Sequence, residues 1–533
     1  MMEMEFFEPL VAGALILISS VLLYWYSIRN FDFWEKRNVP FVKPYPFVGC
    51  VMENMTKPLH DIVLKRYQKY GKIYGHFEAN RALLSVADTD LLREIFVKDF
   101  HMFSERRSMN TSDRIISKMM SVVNGEDWKR IRTIVTPTFT TGKIRRMVGI
   151  FKECSETLVE NFKSISEKGD PVETKKVYGA YTMDVIASSC FSTKLDSHND
   201  PENKFVVTAR NAFRQNITWR FLMFFLFPKL MRLFKIPIFP PTAMNFFKDV
   251  TLQIIEERRR TGQIRNDFLQ LLMDTAKEVS EDPKSEFNQL DNDDTAAVYG
   301  EVDTNHQVFK SVTKKNLSMD ELVAQCVIFF IAGYDTTGST LSFATYLLAL
   351  NQDIQEKAYQ EIAEVLQNTN GELTYEAIQN MKYMDNVMSE TLRLFPPALR
   401  LERVAVADYK LGDTGITIPK GMIVTMPTYA MHRDPEIFPD PEKFNPDRFT
   451  PEERAKRDIY SYLPFGAGPR NCVGMRFALM EVKICLIYVI ATFKLKRCPQ
   501  TKVPLDFLSG TGMLQPKEVF VGLELRKDNP LVK

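Results

Sequence analysis

The chain has little of what most metal and redox centres are built from. Its 533 residues include only seven cysteines and six histidines. The cysteines (Cys50, Cys154, Cys190, Cys326, Cys472, Cys485 and Cys498) are scattered and odd in number, with no C-x-x-C pair. That argues against a zinc ribbon or a disulfide framework and fits a reducing compartment. No H-E-x-x-H and no close histidine pair occurs, so a histidine-based metal site has no support. Charge of one sign is also lacking: the net charge is +2, which gives no field to gather nucleic acid. No internal repeat and no glycine-rich dinucleotide or flavin fingerprint is present. What is plentiful is Phe, at 39, and Met, at 25. Most of these belong to a core, but a surplus of soft side chains also suits a pocket for varied apolar ligands.

Residues 10–28 are uncharged and mostly apolar. As a helix they would span about 28 Å, the thickness of a bilayer's hydrocarbon. Tyr24, Trp25 and Tyr26 sit near one end, as an interfacial belt requires. A cleaved signal peptide fits poorly, because Glu3, Glu5 and Glu8 precede the stretch and no small-x-small site follows it. Arg29, Lys36, Arg37 and Lys43 come after it, so the positive-inside bias places the body in the cytosol. The Asn-x-Ser/Thr matches at Asn54, Asn110, Asn216 and Asn316 would then be unglycosylated. Residues 1–28 are therefore expected to form an anchor, the proline-rich residues 29–50 a stiff hinge, and residues 51–533 one large domain.

Within that domain, residues 51 to about 277 read mostly as helices, with strand-like patches at 73–77 and 83–86. Residues 219–241 are apolar but too short and proline-broken to cross a bilayer. They suit either a core segment or a second surface that dips into the membrane beside a ligand entrance. Residues 278–316 are acidic and polar, and predict a flexible loop. Ser318-Met319-Asp320-Glu321 is a capping box that opens a long helix.

One cysteine stands apart. The segment Phe465-Gly466-Ala467-Gly468-Pro469-Arg470-Asn471-Cys472-Val473-Gly474 holds Cys472 in a glycine-bounded loop ahead of a helix-like apolar run. Glycines let the backbone wrap a sulfur and aim N–H groups at it. A following helix N-terminus stabilises negative charge. Phe465 can shield the sulfur from water, and Arg470 offers a fixed cation suited to a carboxylate. The bland reading is a structural cysteine in a turn. The complete pattern Phe-x-x-Gly-x-Arg-x-Cys-x-Gly favours a thiolate ligand to haem iron.

The long helix carries Phe329-Phe330-Ile331-Ala332-Gly333-Tyr334-Asp335-Thr336-Thr337. Ala332 and Gly333 remove bulk where a flat cofactor could approach the backbone. A threonine hydroxyl can bond back to the preceding turn and bend the helix. Asp335 and Thr336 set an acid beside an alcohol, a pair able to deliver protons through one or two waters. The alternative is a kinked helix that packs small residues. Further along, Glu390 and Arg393 lie three apart on one helix face, and Arg448 follows in Phe444-Asn445-Pro446-Asp447-Arg448-Phe449.

With these motifs in order, the chain beyond its anchor resembles a cytochrome P-450, a haem-thiolate monooxygenase. The stretches 128–147 and 469–479 are similar to the clan of vertebrate family-3 and arthropod family 6 and 9 enzymes. The resemblance implies a mostly α fold with small β-sheets, and haem b held between the long central helix and the cysteine loop. It implies Cys472 as the axial ligand, with Trp128, Arg132, Arg403, Phe465, Arg470 and Gly474 around the haem. Asp335, where close relatives often have Glu, and Thr336 would handle protons. Glu390, Arg393 and Arg448 would lock together beneath the haem as a structural network. Phe329, Ala332, Ala398, Leu399, Met513 and Leu514 would face substrate, in a pocket also lined by residues 107–120 and 213–226. The partners implied are an NADPH-cytochrome P-450 reductase, which supplies NADPH and flavin chemistry from outside the chain, and cytochrome b5. Lys129, Arg130, Lys143, Arg145 and Arg146 form a basic run suited to an acidic reductase domain, or equally to plain solvated surface. The long acidic loop from Glu278 is the main departure from the family pattern.

The activity expected is insertion of one oxygen atom from O2 into a lipophilic small molecule (xenobiotic, steroid or other lipid), at the endoplasmic reticulum membrane. A haem-thiolate isomerase or dehydratase acting on peroxides without a reductase is the alternative. Such enzymes can lose the acid–alcohol pair, which is intact here. A non-catalytic haem sensor is the third possibility, and no motif is broken in a way that supports it.

Overall fold

The computed structural model describes residues 2–108, 113–200, 202–213, 223, 226–237, 241–265, 267–275, 309, 316–509 and 512–531. Most of the acidic stretch 278–316 and much of 219–241 lie outside these residues, as do parts of the expected pocket segments 107–120 and 213–226.

The principal helices are α1 (Met2–Ile28), α2 (Gly125–Val135), α3 (Thr141–Glu167), α4 (Thr174–Phe191), α5 (Pro241–Thr261), α6 (Met319–Leu350), α7 (Lys382–Leu394) and α8 (Met475–Thr492). The strands are short: β1 (Ile73–Glu78), β2 (Arg81–Val86), β3 (Val172–Glu173), β4 (Leu401–Val404), β5 (Ile423–Met426), β6 (Phe493–Lys496) and β7 (Phe520–Leu525). They form a four-stranded sheet in the order β1-β2-β5-β4 and a three-stranded sheet in the order β3-β7-β6. A two-stranded ribbon pairs Tyr409–Lys410 with Thr417–Ile418. The chain is mostly α with small sheets, as the motifs imply.

Helix α1 stands out from the body, with Leu15, Ile16, Leu17, Leu22 and Trp25 exposed. Two helices among the described residues are long and apolar enough to cross a membrane. One is Val11–Ile28. The other, α6, is mostly buried and serves as the core's central rod. The proline-rich segment after α1 does not swing free. Val42 N–H donates to Gly75 O, and Gly75 N–H to Pro40 O, at 2.9 and 2.8 Å. Trp34 is fully buried against Gly75, where a Cβ would meet the indole at 2.4 Å. The connector is stitched to β1 and belongs to the body.

Helix α6 starts at the capping box: Ser318 N–H donates to Glu321 Oε2 at 2.9 Å, and Glu321 N–H to Ser318 Oγ at 3.3 Å. It packs along α4, while α8 packs along α3 and also meets α6. Two apolar clusters share α6. Its residues from Leu322 to Phe330 join α2, α4 and α5, and those from Leu341 to Ala349 join the main core with α3, α7, α8 and the sheet. Between the two clusters, residues 331–336 are not fully buried, and Ala332 is exposed. Gly333 faces away from that opening, since a Cβ there would lie 2.9 Å from Ile186 Cδ1 of α4. Its lack of a side chain lets α6 and α4 approach closely, which corrects the expectation that Gly333 clears space for a cofactor.

Candidate functional site

The cysteine loop owes its shape to two glycines. Gly466 and Gly468 have φ of 75° and 68°, a region that L side chains avoid. A Cβ on Gly468 would also lie 2.0 Å from Phe96 O. The loop closes when Cys472 N–H donates to Phe465 O at 2.9 Å and Asn471 N–H to Gly468 O at 2.9 Å. Gly474 caps the N-terminus of α8, and its N–H donates to the Cys472 sulfur. Cys472 is accessible although protein encloses it, while Asn471 and Ala467 beside it are buried. Burial pushes its thiol up, opposed by the Gly474 N–H and by Arg132 and Arg106. An accessible sulfur with a helix N-terminus and two cations close by is a ligand in waiting, because a bound metal ion would displace its proton.

Four guanidinium groups gather around this loop. Arg132 of α2 donates to Asn471 O at 2.9 Å and Asn471 Oδ1 at 2.7 Å, tying α2 to the residue before the cysteine. Arg470 stacks 4.2 Å from the Trp128 ring and donates to Asn124 Oδ1 and Val123 O at 3.0 and 3.1 Å. Arg403, on β4, donates to Glu402 O at 2.9 Å and lies over Phe96. Arg106 donates to Arg470 O at 2.8 Å and is held through its backbone by Asn124. Arg403 and Arg470 are each 2% exposed, yet Arg403 Nε and Arg470 Nε and Nη1 have no hydrogen-bond partner among the described residues. Burial and the neighbouring arginines push Arg403 well below the usual arginine range. Arg470 falls to about 9, through burial first and then Arg106, with Glu105 offsetting part.

Glu105 offsets part of the charge on Arg470, and two further acids nearby are engaged elsewhere. Glu78 and Glu402 are engaged by Arg107 and Arg400: Arg107 pairs with both, and Arg400 lies 3.2 and 3.0 Å from them. That quartet is internally balanced. The buried Arg403 and Arg470 nitrogens that lack a partner among the described residues favour an anion there, since leaving such groups unpaired is expensive. A planar cofactor with an iron for the sulfur and two carboxylates for the arginines meets both needs, and these residues fit haem.

Beneath the loop, Arg393 Nε and Nη2 donate to Glu390 Oε2 and Oε1 at 2.6 and 2.8 Å, both side chains fully buried. Arg448 Nε lies 3.4 Å from Glu390 Oε1, and Asn445 N–H donates to the same oxygen at 2.9 Å. Arg393 also donates to His432 O at 2.8 Å. His432 Nε2 in turn accepts from Leu463 N–H at 2.9 Å, and Tyr462 Oη donates to Ser389 O at 2.7 Å. These bonds tie α7 to the entry of the cysteine loop. Burial, with Arg393 and Arg433, pushes His432 down to about 3, so it stays a neutral acceptor.

On α6 the accessible stripe is Ile328, Ile331, Ala332, Asp335 and Thr336, spaced as one helix face. Thr336 Oγ1 donates back to Ala332 O at 2.7 Å. Asp335 Oδ2 accepts from Gln515 Nε2 at 2.6 Å, and no bond joins Asp335 to Thr336 among the described residues. Phe329 packs edge-on against Phe268 and Phe139, with ring centroids at 4.1 and 5.2 Å. Ala398 and Met513 are half-exposed and form a backbone bridge. Leu399 and Leu514 are 1% and 2% exposed and point into the main core. Leu399 and Leu514 are thus packed into the core, whereas Phe329 is only partly buried, like Ile328 and Ile331.

Sequence reasoning missed Arg106, Asn124, His432, Gln515, Ile328 and Ile331. The two isoleucines were within reach, since they lie four and one residues before Ala332 on a predicted helix. The others act through partners distant in sequence, and no local pattern marks them.

A surface cleft of about 610 Å³ is lined by Lys72, Glu436, Asp447, Arg448, Lys456 and Asp458 among others.

An accessible loop cysteine, buried arginines beside it and a half-open central helix make a site suited to a cysteine-ligated haem. The family model described as Cytochrome P450 matches residues 39–522. Cytochrome P450 3A31 of Mesocricetus auratus is 39% identical over 526 residues, covering 98% of this chain and 97% of the relative. Cytochrome P450 3A11 of Mus musculus is 39% identical over 513 residues, covering 95% of each. Cytochrome P450 3A9 of Rattus norvegicus is 38% identical over 510 residues, covering 95% and 94%. The chain belongs to the cytochrome P450 family and is an oxidoreductase of the haem-thiolate monooxygenase kind.

Proposed function

We propose that the protein inserts one oxygen atom from O2 into lipophilic small molecules such as xenobiotics, steroids or other lipids. Two electrons come from NADPH through a separate reductase, with cytochrome b5 as a further donor. In balance, substrate, O2, two electrons and two protons give hydroxylated substrate and water. The accessible Cys472 beside buried Arg403 and Arg470, whose Nε atoms lack a partner among the described residues, is the observation that carries this reading. Haem b, when bound, supplies dioxygen activation, which a thiolate ligand favours.

The chain's own residues do the rest. Cys472 donates its thiolate, moderated by the Gly474 N–H. Arg106, Arg403 and Arg470 would hold the cofactor's carboxylates, and Trp128 braces Arg470. Arg132 fixes the loop through Asn471. Phe465 accepts the Cys472 N–H and helps cover the loop. The network of Glu390, Arg393 and Arg448 keeps the loop's footing rigid. Asp335 presents a carboxylate beside the opening at Ala332 and passes protons inward, with the Thr336 oxygen next to it. That intact pair favours the monooxygenase over a peroxide isomerase. Ile328, Ile331, Ala332, Ala398 and Met513 offer an apolar wall to substrate.

Helix α1 anchors the protein in the endoplasmic reticulum membrane, with the body on the cytosolic side. The exposed Phe227, Leu230, Leu233 and Phe234 support a second surface that dips into the lipid. The reductase docks on the basic side, but less of it is free than the charge run suggests. Lys129 pairs with Glu126, Arg130 with Asp127 and Glu321, and Arg145 with Glu376. Arg146 remains exposed on the same helix as Lys143.

The carbon monoxide difference spectrum of the reduced protein tests the reading. A strongly red-shifted Soret band that disappears in Cys472→Ala is expected. A band typical of histidine or neutral thiol ligation in folded protein would overturn it. Turnover of a lipophilic panel with and without reductase then separates the monooxygenase from the isomerase.

A further inference from the structure

Gln515 is fixed from several sides while its amide reaches across to the acid of the central helix. Its carbonyl accepts from Leu508 N–H at 2.9 Å, and the preceding Leu514 N–H donates to Pro397 O at 3.0 Å. Met513 bridges Ala398, and Pro516 bridges Phe507. From this braced segment Gln515 Nε2 donates to Asp335 Oδ2 at 2.6 Å, linking residues 180 apart in the chain. Asp335 Oδ1 has no partner among the described residues, and Thr336 is turned onto Ala332 O. One carboxylate oxygen is therefore tethered, and the other is left to exchange. A merely structural tether between the C-terminal segment and α6 would not need its acid half-exposed beside Ala332.

We propose that Gln515 is a positioning residue for proton delivery: it holds the Asp335 carboxylate in one rotamer with Oδ1 turned outward. This rests on the reading of Asp335 as the proton donor. The segment that carries Gln515 also carries Met513, paired with Ala398 on the apolar wall, so substrate that presses on that wall reaches the acid through two residues of braced backbone. A carboxamide suits the task. It donates to a carboxylate without carrying charge, and it does not itself titrate.

The test replaces the amide while keeping the chain length, as Gln515→Met, and withdraws it by one methylene, as Gln515→Asn. The first readout needs no turnover: the infrared carboxylate bands of Asp335 in the full-length holoenzyme, assigned by their loss in Asp335→Asn. Both Gln515 variants should shift and broaden these bands, with the carbon monoxide spectrum and spectral substrate affinity unchanged. The second readout is coupling, the fraction of reductase electrons recovered in product rather than as hydrogen peroxide. It should fall by about tenfold in Gln515→Met, the factor that loss of a hydrogen bond to a charged group carries. Unmoved Asp335 bands and wild-type coupling in both variants would overturn the proposal. Wild-type coupling in Asp335→Asn would instead sink the reading of Asp335 itself, whatever the Gln515 variants do to the bands. A variant that fails to form the carbon monoxide spectrum is replaced by the other, so folding and positioning stay separable.

Discussion

Glu481→Gln should stabilise the protein, and the gain should grow as pH rises. Glu481 lies on α8, fully buried, and neither carboxyl oxygen has a hydrogen-bond partner among the described residues. The one bond to this residue from Tyr181 goes to its backbone carbonyl, at 3.3 Å. Burial alone pushes the carboxyl well above the usual carboxylate range. The folded protein therefore keeps a proton that the unfolded chain gives up above an ordinary carboxylate pKa of about 4.3. Between those two values unfolding releases a proton, so stability contributed by this group is complete at low pH. It is lost as pH rises, at about 1.4 kcal/mol per pH unit, until the folded pKa is passed. Glutamine keeps the shape and cannot ionise, so it removes that slope. From pH 5.5 to 7.5 the difference should widen by about 2.7 kcal/mol for as long as the folded carboxyl stays protonated. An unfolding entropy of roughly 2.1 cal/mol/K per residue makes this about 2–3 °C in Tm for a chain of 533 residues. Thermal unfolding of the full-length holoenzyme in detergent, followed by circular dichroism across that range, measures it. Parallel Tm curves for wild type and Glu481→Gln at every pH would refute the reasoning. A glutamine variant whose advantage shrinks with rising pH would show that the carboxylate is paired rather than orphaned.

Gly468→Ala should abolish most haem incorporation. Its φ of 68° is about 1–2 kcal/mol unfavourable for alanine, and its Cβ would meet the rigid Phe96 carbonyl; haem content by pyridine haemochrome reads the loss. Arg393→Met strands a fully buried carboxylate and should destabilise by about 3–5 kcal/mol, whereas the double variant Glu390→Gln with Arg393→Met recovers much of it, read by denaturant unfolding. Arg403→Met should speed haem transfer to apomyoglobin by about tenfold or more, because it removes charge-assisted bonds to a carboxylate. An unchanged transfer rate would show that Arg403's unpaired Nε serves no anion.

Much of this molecule follows from local sequence, for local reasons. The α6 start is a capping box whose two hydrogen bonds close within four residues. Glu390 and Arg393 meet because residues three apart share a helix face. Strands β1 and β2 come from short, largely buried segments joined by a tight turn at Ala79 and Asn80. The cysteine loop depends on glycines at positions where φ must be positive, so its shape is written in ten consecutive residues. The Cys472 loop, the adjacent Asp335 and Thr336 on α6 and the apolar N-terminal helix were legible in the same way, because each lies within one element.

Only the tertiary structure decided which distant side chains converge. Arg106, Arg132, Arg403 and Arg470 come from a loop, a helix, a strand and the cysteine loop, while Arg107 and Arg400 engage Glu78 and Glu402 beside them. Gly333 serves the α4 contact rather than the opening because helix rotation, set by packing on both faces, turns Ala332 outward in its place. Gln515 finds Asp335 across 180 residues, and His432 finds Leu463 across 31. Local sequence carries φ preferences, caps and periodicity. Which buried polar group meets which partner is fixed by the mutual fit of helices and sheets, and no single segment encodes it.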